Sequence, residues 1–198
     1  MIIGITGGIG SGKSVIAKQL RKMGYSVYDT DSEAKRLIVE DTHVRQQITA
    51  LFGEEVYQDG IYQTALVAQR VFADKGLLAQ LNAIVHPAVK ADIGNWVSEP
   101  SDSEAIRQHS NLLFIECAIL YQAGFDTLCD KVVAVTAPED VRLARVIARD
   151  HSTIDKVRAR MRAQEADKDL ARADIVINND GPVAIRTLCE EIIHLLTK

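Results

Sequence analysis

Short apolar runs alternate with longer stretches of helical pattern along most of the chain. Ile2 to Thr6 is an apolar run that closes on a glycine-rich turn, and Ser14 to Met23 follows with helical composition and Gly24 as its C-cap. Tyr25 to Asp29 reads as a second strand, and Ser32 to Ile48 as polar helix-forming sequence. Asp59-Gly60 between β-prone pieces in Glu54 to Tyr62 predicts a small hairpin. Helices are predicted from Gln63 to about Val97, with a break at His86-Pro87, where the residue before proline is pushed away from helical dihedrals. Ser98 to Glu104 is loop-like. Leu112 to Glu116 and Lys131 to Thr136 are buried strands, Pro138 opens a helix as a first-turn proline, Asp174 to Asn178 is a last strand, and a helix runs from about Pro182 to Leu196.

Strands alternating with helices, without internal repeats, predict an α/β fold. The expected core is a three-layer parallel sheet with helices on both faces. The helical block from 63 to 97 is an excursion from that sheet. At 198 residues the chain is sized for one domain. Its 23 basic and 27 acidic residues give a net charge of −4, which argues against nucleic acid or an anionic membrane surface as partner. No run of about 18 apolar residues occurs, since Glu116 interrupts even Asn111 to Tyr121, so no membrane span is expected. The opening Met-Ile-Ile-Gly-Ile-Thr lacks the marks of a cleaved signal. Three cysteines without a Cys-x-x-Cys pair, and five histidines without ligand spacing, fit a reduced cytoplasm and no structural metal.

The turn after the first strand carries chemistry. Gly7-Gly-Ile-Gly-Ser-Gly12-Lys13-Ser14 matches G-x-x-x-x-G-K-[ST] between a predicted strand and a predicted helix, the context of a phosphate-binding P-loop. Its backbone N–H groups and the helix N-terminus face phosphate oxygens, Lys13 spans the β and γ phosphates of ATP, and the Ser14 hydroxyl ligates Mg²⁺. The nucleotide is thus expected against Gly8, Gly10, Ser11, Gly12, Lys13, Ser14 and Val15. A guanine-reading Asn-Lys-x-Asp is absent, and Leu112 to Cys117 does not end in the Asp-Glu pair of an ATPase. A small-molecule kinase remains.

Asp29 and Asp31 fall at the carboxyl end of the second strand, where open α/β sheets bind ligands, and i, i+2 alternation puts both on one side of an extended chain. One is expected to accept the proton of the acceptor hydroxyl, with Asp31 the candidate, while Asp29 holds Mg²⁺ through water. Asp31 also suits a helix N-cap. From Arg142 to Arg172 the chain packs nine of its 23 cations into 31 residues. Arg142, Arg145 and Arg149 share a helix face, and His151-Ser-Thr breaks that helix before a second basic piece, the pattern of a hinged lid over a triphosphate.

These residues together resemble the dephospho-CoA kinase family over nearly the whole chain. The resemblance rests on Ile5 to Ser14, Asp29-Thr-Asp31, Leu81-Asn-Ala-Ile-Val-His-Pro87, Leu143-Ala-Arg145 with Arg149-Asp150, Arg160 and Gln164, and Ala173-Asp174 with Ile177-Asn-Asn-Asp-Gly181. It implies a kinase core at about 1–52, 105–149 and 172–198, a helical acceptor-binding insertion at about 53–104, and a basic lid at about 150–171. It also implies Asp31 as general base, Arg145 as the phosphate-stabilising arginine, Asn179 near the adenine of ATP, and transfer of the γ-phosphate to the ribose 3′-hydroxyl of dephospho-CoA. No obligate protein partner is implied.

Three features depart from the family pattern. Its Pro-Leu-Leu-x-Glu is here Ala118-Ile-Leu-Tyr-Gln122, its Asn-Arg pair after the turn glycine is Gln63-Thr64, and the lid is one residue shorter between Gln164 and Asp174. His86 suits a helix end before proline or acceptor binding equally, and Tyr57, Tyr62 and Trp96 suit either core or stacking on the acceptor's adenine. On the residues alone, a kinase of another small metabolite or a nucleotide-gated binding protein stays open.

Overall fold

The computed structural model describes residues 1–98, 111–164 and 170–198. The Ser98 to Glu104 loop lies almost wholly outside them, as do the core boundary at 105 and Lys168 of the lid. The described residues form two compact units, one within Met1–Asp29 and Pro100–Lys198 and the other within Thr30–Glu99.

The first unit holds β1 (Ile2–Thr6), α1 (Lys13–Lys22) and β2 (Ser26–Asp29), and resumes with β5 (Leu113–Glu116), β6 (Lys131–Thr136), α6 (Glu139–Asp150), α7 (Ile154–Ala163), β7 (Ile175–Asn178) and α8 (Ile185–Leu196). Its sheet is parallel throughout, in the order β2-β5-β1-β6-β7. The chain leaves β1 for β2 on one side and later crosses from β5 to β6 on the other, so the strand order reverses at β1. Such a switch point opens a crevice at the carboxyl ends of the strands.

The central strands are apolar without alternation, as sheets covered on both faces require: in β6 Val132, Val133, Ala134 and Val135 are all buried. On one face Ile16 and Leu20 of α1 and Leu188, Cys189, Ile192 and Leu196 of α8 close over Ile3, Ile5, Phe114, Val133, Val135 and Ile177. Each large side chain so buried contributes on the order of 1.5–3 kcal/mol. On the other face Leu120 and Cys129 press on Gly4, whose missing Cβ would stand 2.7 Å from the Leu120 side chain.

The second unit comprises α2 (Thr30–Glu40), α3 (Thr42–Phe52), the hairpin β3 (Tyr57–Gln58) and β4 (Ile61–Tyr62), α4 (Thr64–Ala73) and α5 (Lys75–Ser98). Helices α2, α3 and α4 all pack on α5, which buries Val85, Val89 and Ile93 along one stripe. The hairpin turns at Asp59 and Gly60, both at positive φ, as its two-residue turn demands.

Several boundaries differ from the sequence reading. The helical unit starts at Thr30 and not near residue 53, because α2 and α3 find their apolar partners on α5. The predicted helix 32–48 is two helices, divided at Asp41, whose carboxylate caps α3 by accepting the Val44 N–H at 2.9 Å. Helix α5 passes through Pro87 unbroken, and the break falls earlier, where Asp74 accepts the Gly76 N–H at 2.7 Å. Packing on both sides of the proline outweighs its local preference. Met23 is the C-cap of α1, with Gly24 following at φ 92. Pro138 occupies the N-cap of α6 and not its first turn, and α8 begins at Ile185.

Candidate active site

The loop from Gly7 to Ser14 joins the end of β1 to α1. Gly10 and Gly12 have φ of 79° and 95°, a region that L side chains rarely adopt. Neither has room for a side chain: a Cβ on Gly10 would stand 2.5 Å from the Arg142 carbonyl oxygen, and one on Gly12 would strike the Asn179 amide. The loop closes a turn of its own through Ser11 N–H to the Gly8 carbonyl, at 3.0 Å. Gly12 caps α1 without a side-chain bond. The first-turn N–H groups therefore face outward with the positive end of the helix dipole, a ready anion site.

A cavity of about 340 Å³ sits over this turn, walled by Gly10, Gly12, Lys13, Ser14 and Val15 from the loop and by Arg145, Val146 and Arg149 from α6. Six of the nine expected nucleotide-site residues thus line this cavity, and Gly8, Ser11 and Asn179 do not. Gly8 serves the turn through its carbonyl, and Ser11 is fully buried. The hydroxyls of Ser11 and of neighbouring Thr6 are buried without a hydrogen-bond partner among the described residues.

Arg145 reaches the loop from α6. Its Nη1 lies 3.0 Å from the Asn179 carbonyl oxygen, 3.4 Å from that of Gly10 and 3.5 Å from that of Ser11. Asn179, expected near adenine, is buried and donates its side-chain amide to the Ser11 carbonyl at 2.8 Å. It holds the cradle. Of the basic cluster, Arg145 and Arg149 line the cavity, and Arg149 also joins Arg160 and Arg172 in forming ion pairs. Asp150 accepts from Arg149 at 2.6 Å and from Arg160 at 2.9 Å, and these two guanidinium groups hold its carboxyl well below the usual range. Arg172 pairs with Asp126 at 2.9 Å and stacks over Tyr121.

Glu116, whose strand lacks the second acid that the ATPase pattern needs, meets the loop's Lys13 and Ser14 directly. It ends β5 next to β1 and is 6% exposed. Its Oε1 accepts the Ser14 hydroxyl at 3.0 Å and lies 3.9 Å from Lys13 Nζ. A single acid closing an apolar strand beside the P-loop strand was the available signal. Asp29 ends β2 in register with Glu116, so the two carboxylates project from the same side of adjoining strands. Asp31 does not continue that row. The chain turns into helix at Thr30, and Asp31 lies exposed in the first turn of α2, within the second unit, where the helix dipole favours its carboxylate.

The second unit has a mostly apolar cavity of about 560 Å³, with Ile38, Ile61, Tyr62, Thr64 and Leu81 on its walls and Lys35 as its cation. Gln63 donates to the Ile61 carbonyl at 3.0 Å. His86 is half-buried, and burial lowers its pKa.

A parallel sheet with a P-loop at its switch point, a hydroxyl and a lysine gathered on one acid, and arginines across the cavity defines a P-loop nucleoside-triphosphate kinase. The family model for dephospho-CoA kinase matches residues 1–184. The dephospho-CoA kinase of Porphyromonas gingivalis is 46% identical over 171 residues, covering 86% of this chain and 81% of the relative, and that of Salinibacter ruber is 41% identical over 181 residues, covering 90% and 88%. The crystal structure of a Thermus thermophilus protein superposes with a TM-score of 0.80 at 33% identity, covering 100% of this chain and 96% of that one. A shikimate kinase from Acinetobacter baumannii, at 17% identity and a TM-score of 0.58 with 99% and 92% covered, shares the fold. The chain belongs to the dephospho-CoA kinase family, ATP-dependent kinases of the final step of coenzyme A biosynthesis.

Proposed function

We propose that the chain binds Mg-ATP at the loop from Gly7 to Ser14 and uses Asp31, Lys13 and Arg145 to pass the γ-phosphoryl group to the ribose 3′-hydroxyl of dephospho-CoA. The observation that carries this reading is the convergence of Lys13 and Ser14 on Glu116 beneath the cavity. In the step, the 3′-oxygen forms a bond to the γ-phosphorus while the bond from that phosphorus to the β–γ bridging oxygen breaks. The hydroxyl proton passes to an Asp31 carboxylate oxygen, and ADP leaves. Little covalent work falls to the protein. Lys13 meets charge on the β and γ phosphates, and Arg145 stabilises the transferring group from the α6 side.

Magnesium fits the donors present. The Ser14 hydroxyl and the carboxylates of Asp29 and Glu116 are hard oxygen donors at the carboxyl ends of neighbouring strands and the helix start beside them, the chemistry this ion prefers alongside phosphate oxygens and water. Ser14 and Asp29 would hold it, Asp29 through water, and when bound it neutralises charge on the β and γ oxygens. The acceptor's apolar arm suits the 560 Å³ cavity of the second unit, with Lys35 toward its diphosphate. We place this activity in the cytoplasm, without nucleic acid, membrane or obligate protein partner. Among the described residues no helix is long and apolar enough to cross a membrane.

The test is ADP release with magnesium and dephospho-CoA, AMP, adenosine or pantothenate as acceptor. Turnover is expected with dephospho-CoA alone, and Asp31→Asn should lower kcat by about 10²–10⁴ with ATP affinity kept within about twofold. An Asp31→Asn enzyme of parental turnover would remove that residue from the mechanism, and ATP consumption indifferent to every acceptor would overturn the reading.

A further inference from the structure

The loop from Gly7 to Ser14 is gripped on two sides. Arg145 and Asn179 hold its carbonyls, at Gly10 and Ser11. Its amides are divided differently. The Ser11 N–H closes the turn on the Gly8 carbonyl. The Ile9 N–H is instead taken by the side-chain oxygen of Gln164, at 2.6 Å. Gln164 caps the C-terminus of α7, and its own carbonyl accepts the Gln122 side-chain amide at 3.3 Å. Three segments far apart in sequence are thereby joined in a row.

The two glutamine side chains play opposite parts in that row, and only the one at 122 must carry an N–H. Gln164 must present an acceptor to a backbone N–H, and Gln122 must present a donor to a backbone carbonyl. A carboxylate at position 122, the family pattern noted above, has no N–H to give. The substitution at this position therefore has a physical consequence within the chain: it ties the segment after β5 to the end of α7.

We propose that Gln164, held in turn by Gln122, is a positioning residue for ATP, fixing the phosphate loop through the Ile9 N–H. An ordered loop binds nucleotide without a further ordering cost, so the clamp lowers KM for ATP and leaves the chemical step alone. This rests on the kinase reading above, and the experiment separates the two.

Hydrogen exchange at the Ile9 amide is measured in the full-length, nucleotide-free protein and in Gln164→Met, Gln164→Glu and Gln122→Glu. Steady-state kinetics with ATP and dephospho-CoA accompany it. Gln164→Met keeps the shape without the acceptor: exchange is expected to speed about tenfold, and KM for ATP to rise about three- to tenfold, the scale of one lost hydrogen bond. kcat and KM for dephospho-CoA should stay within about twofold. Gln164→Glu retains an acceptor and should retain protection of Ile9. Gln122→Glu should fall between the parent and Gln164→Met. Unchanged Ile9 exchange in Gln164→Met, or unchanged KM for ATP there, overturns the clamp. A parent without turnover on dephospho-CoA refutes the kinase reading instead, and the exchange measurement still decides the clamp.

Discussion

Glu116 gathers two P-loop side chains, the Ser14 hydroxyl and the Lys13 ammonium, on one carboxylate oxygen, and its charge is what each of them meets. Glu116→Gln keeps the volume and one oxygen but removes the charge opposite Lys13, where both side chains are largely buried. By analogy with outer-shell partners of metal sites, kcat/KM for Mg-ATP should fall about 10- to 100-fold and half-saturating magnesium should rise, both read from initial rates in a magnesium titration. An unaltered magnesium requirement would detach Glu116 from the cation. At Gly12 backbone and packing act together. Gly12→Ala forces a side chain into a left-handed conformation against the Asn179 amide. It should cost about 1–3 kcal/mol in urea unfolding and also weaken ATP binding. A stable variant with parental affinity would contradict that geometry.

Helix α5 shows how an element overrides its own sequence. Pro87 removes one N–H and crowds the Ala83 carbonyl, yet Val85, Val89 and Ile93 remain on one buried stripe across it. Pro87→Ala restores the donor, and against some gain in unfolded-chain entropy it should stabilise by about 1–2 kcal/mol in urea unfolding. Asp41→Ala, which strips the cap of α3, should destabilise by about 1 kcal/mol by the same measurement. What the sequence made legible divides along this line. Strands were readable because a sheet buried on both faces needs continuous apolar runs, and the P-loop because its glycines answer a local steric demand. The continuity of α5 and the membership of α2 and α3 in the helical unit depend on partners distant in sequence. Asp31 was placed beside Asp29 by strand alternation, which ends at Thr30. Glu116 had no local motif, since its role comes from β5 lying between β1 and β2.

Across the whole molecule, charge is arranged so that acid acts in two separate pH ranges. Asp150 is held low by Arg149 and Arg160, and Glu55 is lowered by Arg70. The stability these carboxylates contribute is present above their ordinary pKa and is lost only as pH falls through the depressed folded value. His86 responds earlier. Burial lowers its pKa below the ordinary 6.5, so in the folded chain it takes its proton at a lower pH than in the unfolded chain. Between those two values the unfolded state binds more protons, and stability must rise with pH. Urea unfolding between pH 5 and 7.5 should therefore show stability falling as pH drops below about 6.5. His86→Gln should flatten that slope while leaving the loss at lower pH intact. If parent and variant gave parallel curves through this window, burial of His86 would not be the source of the effect.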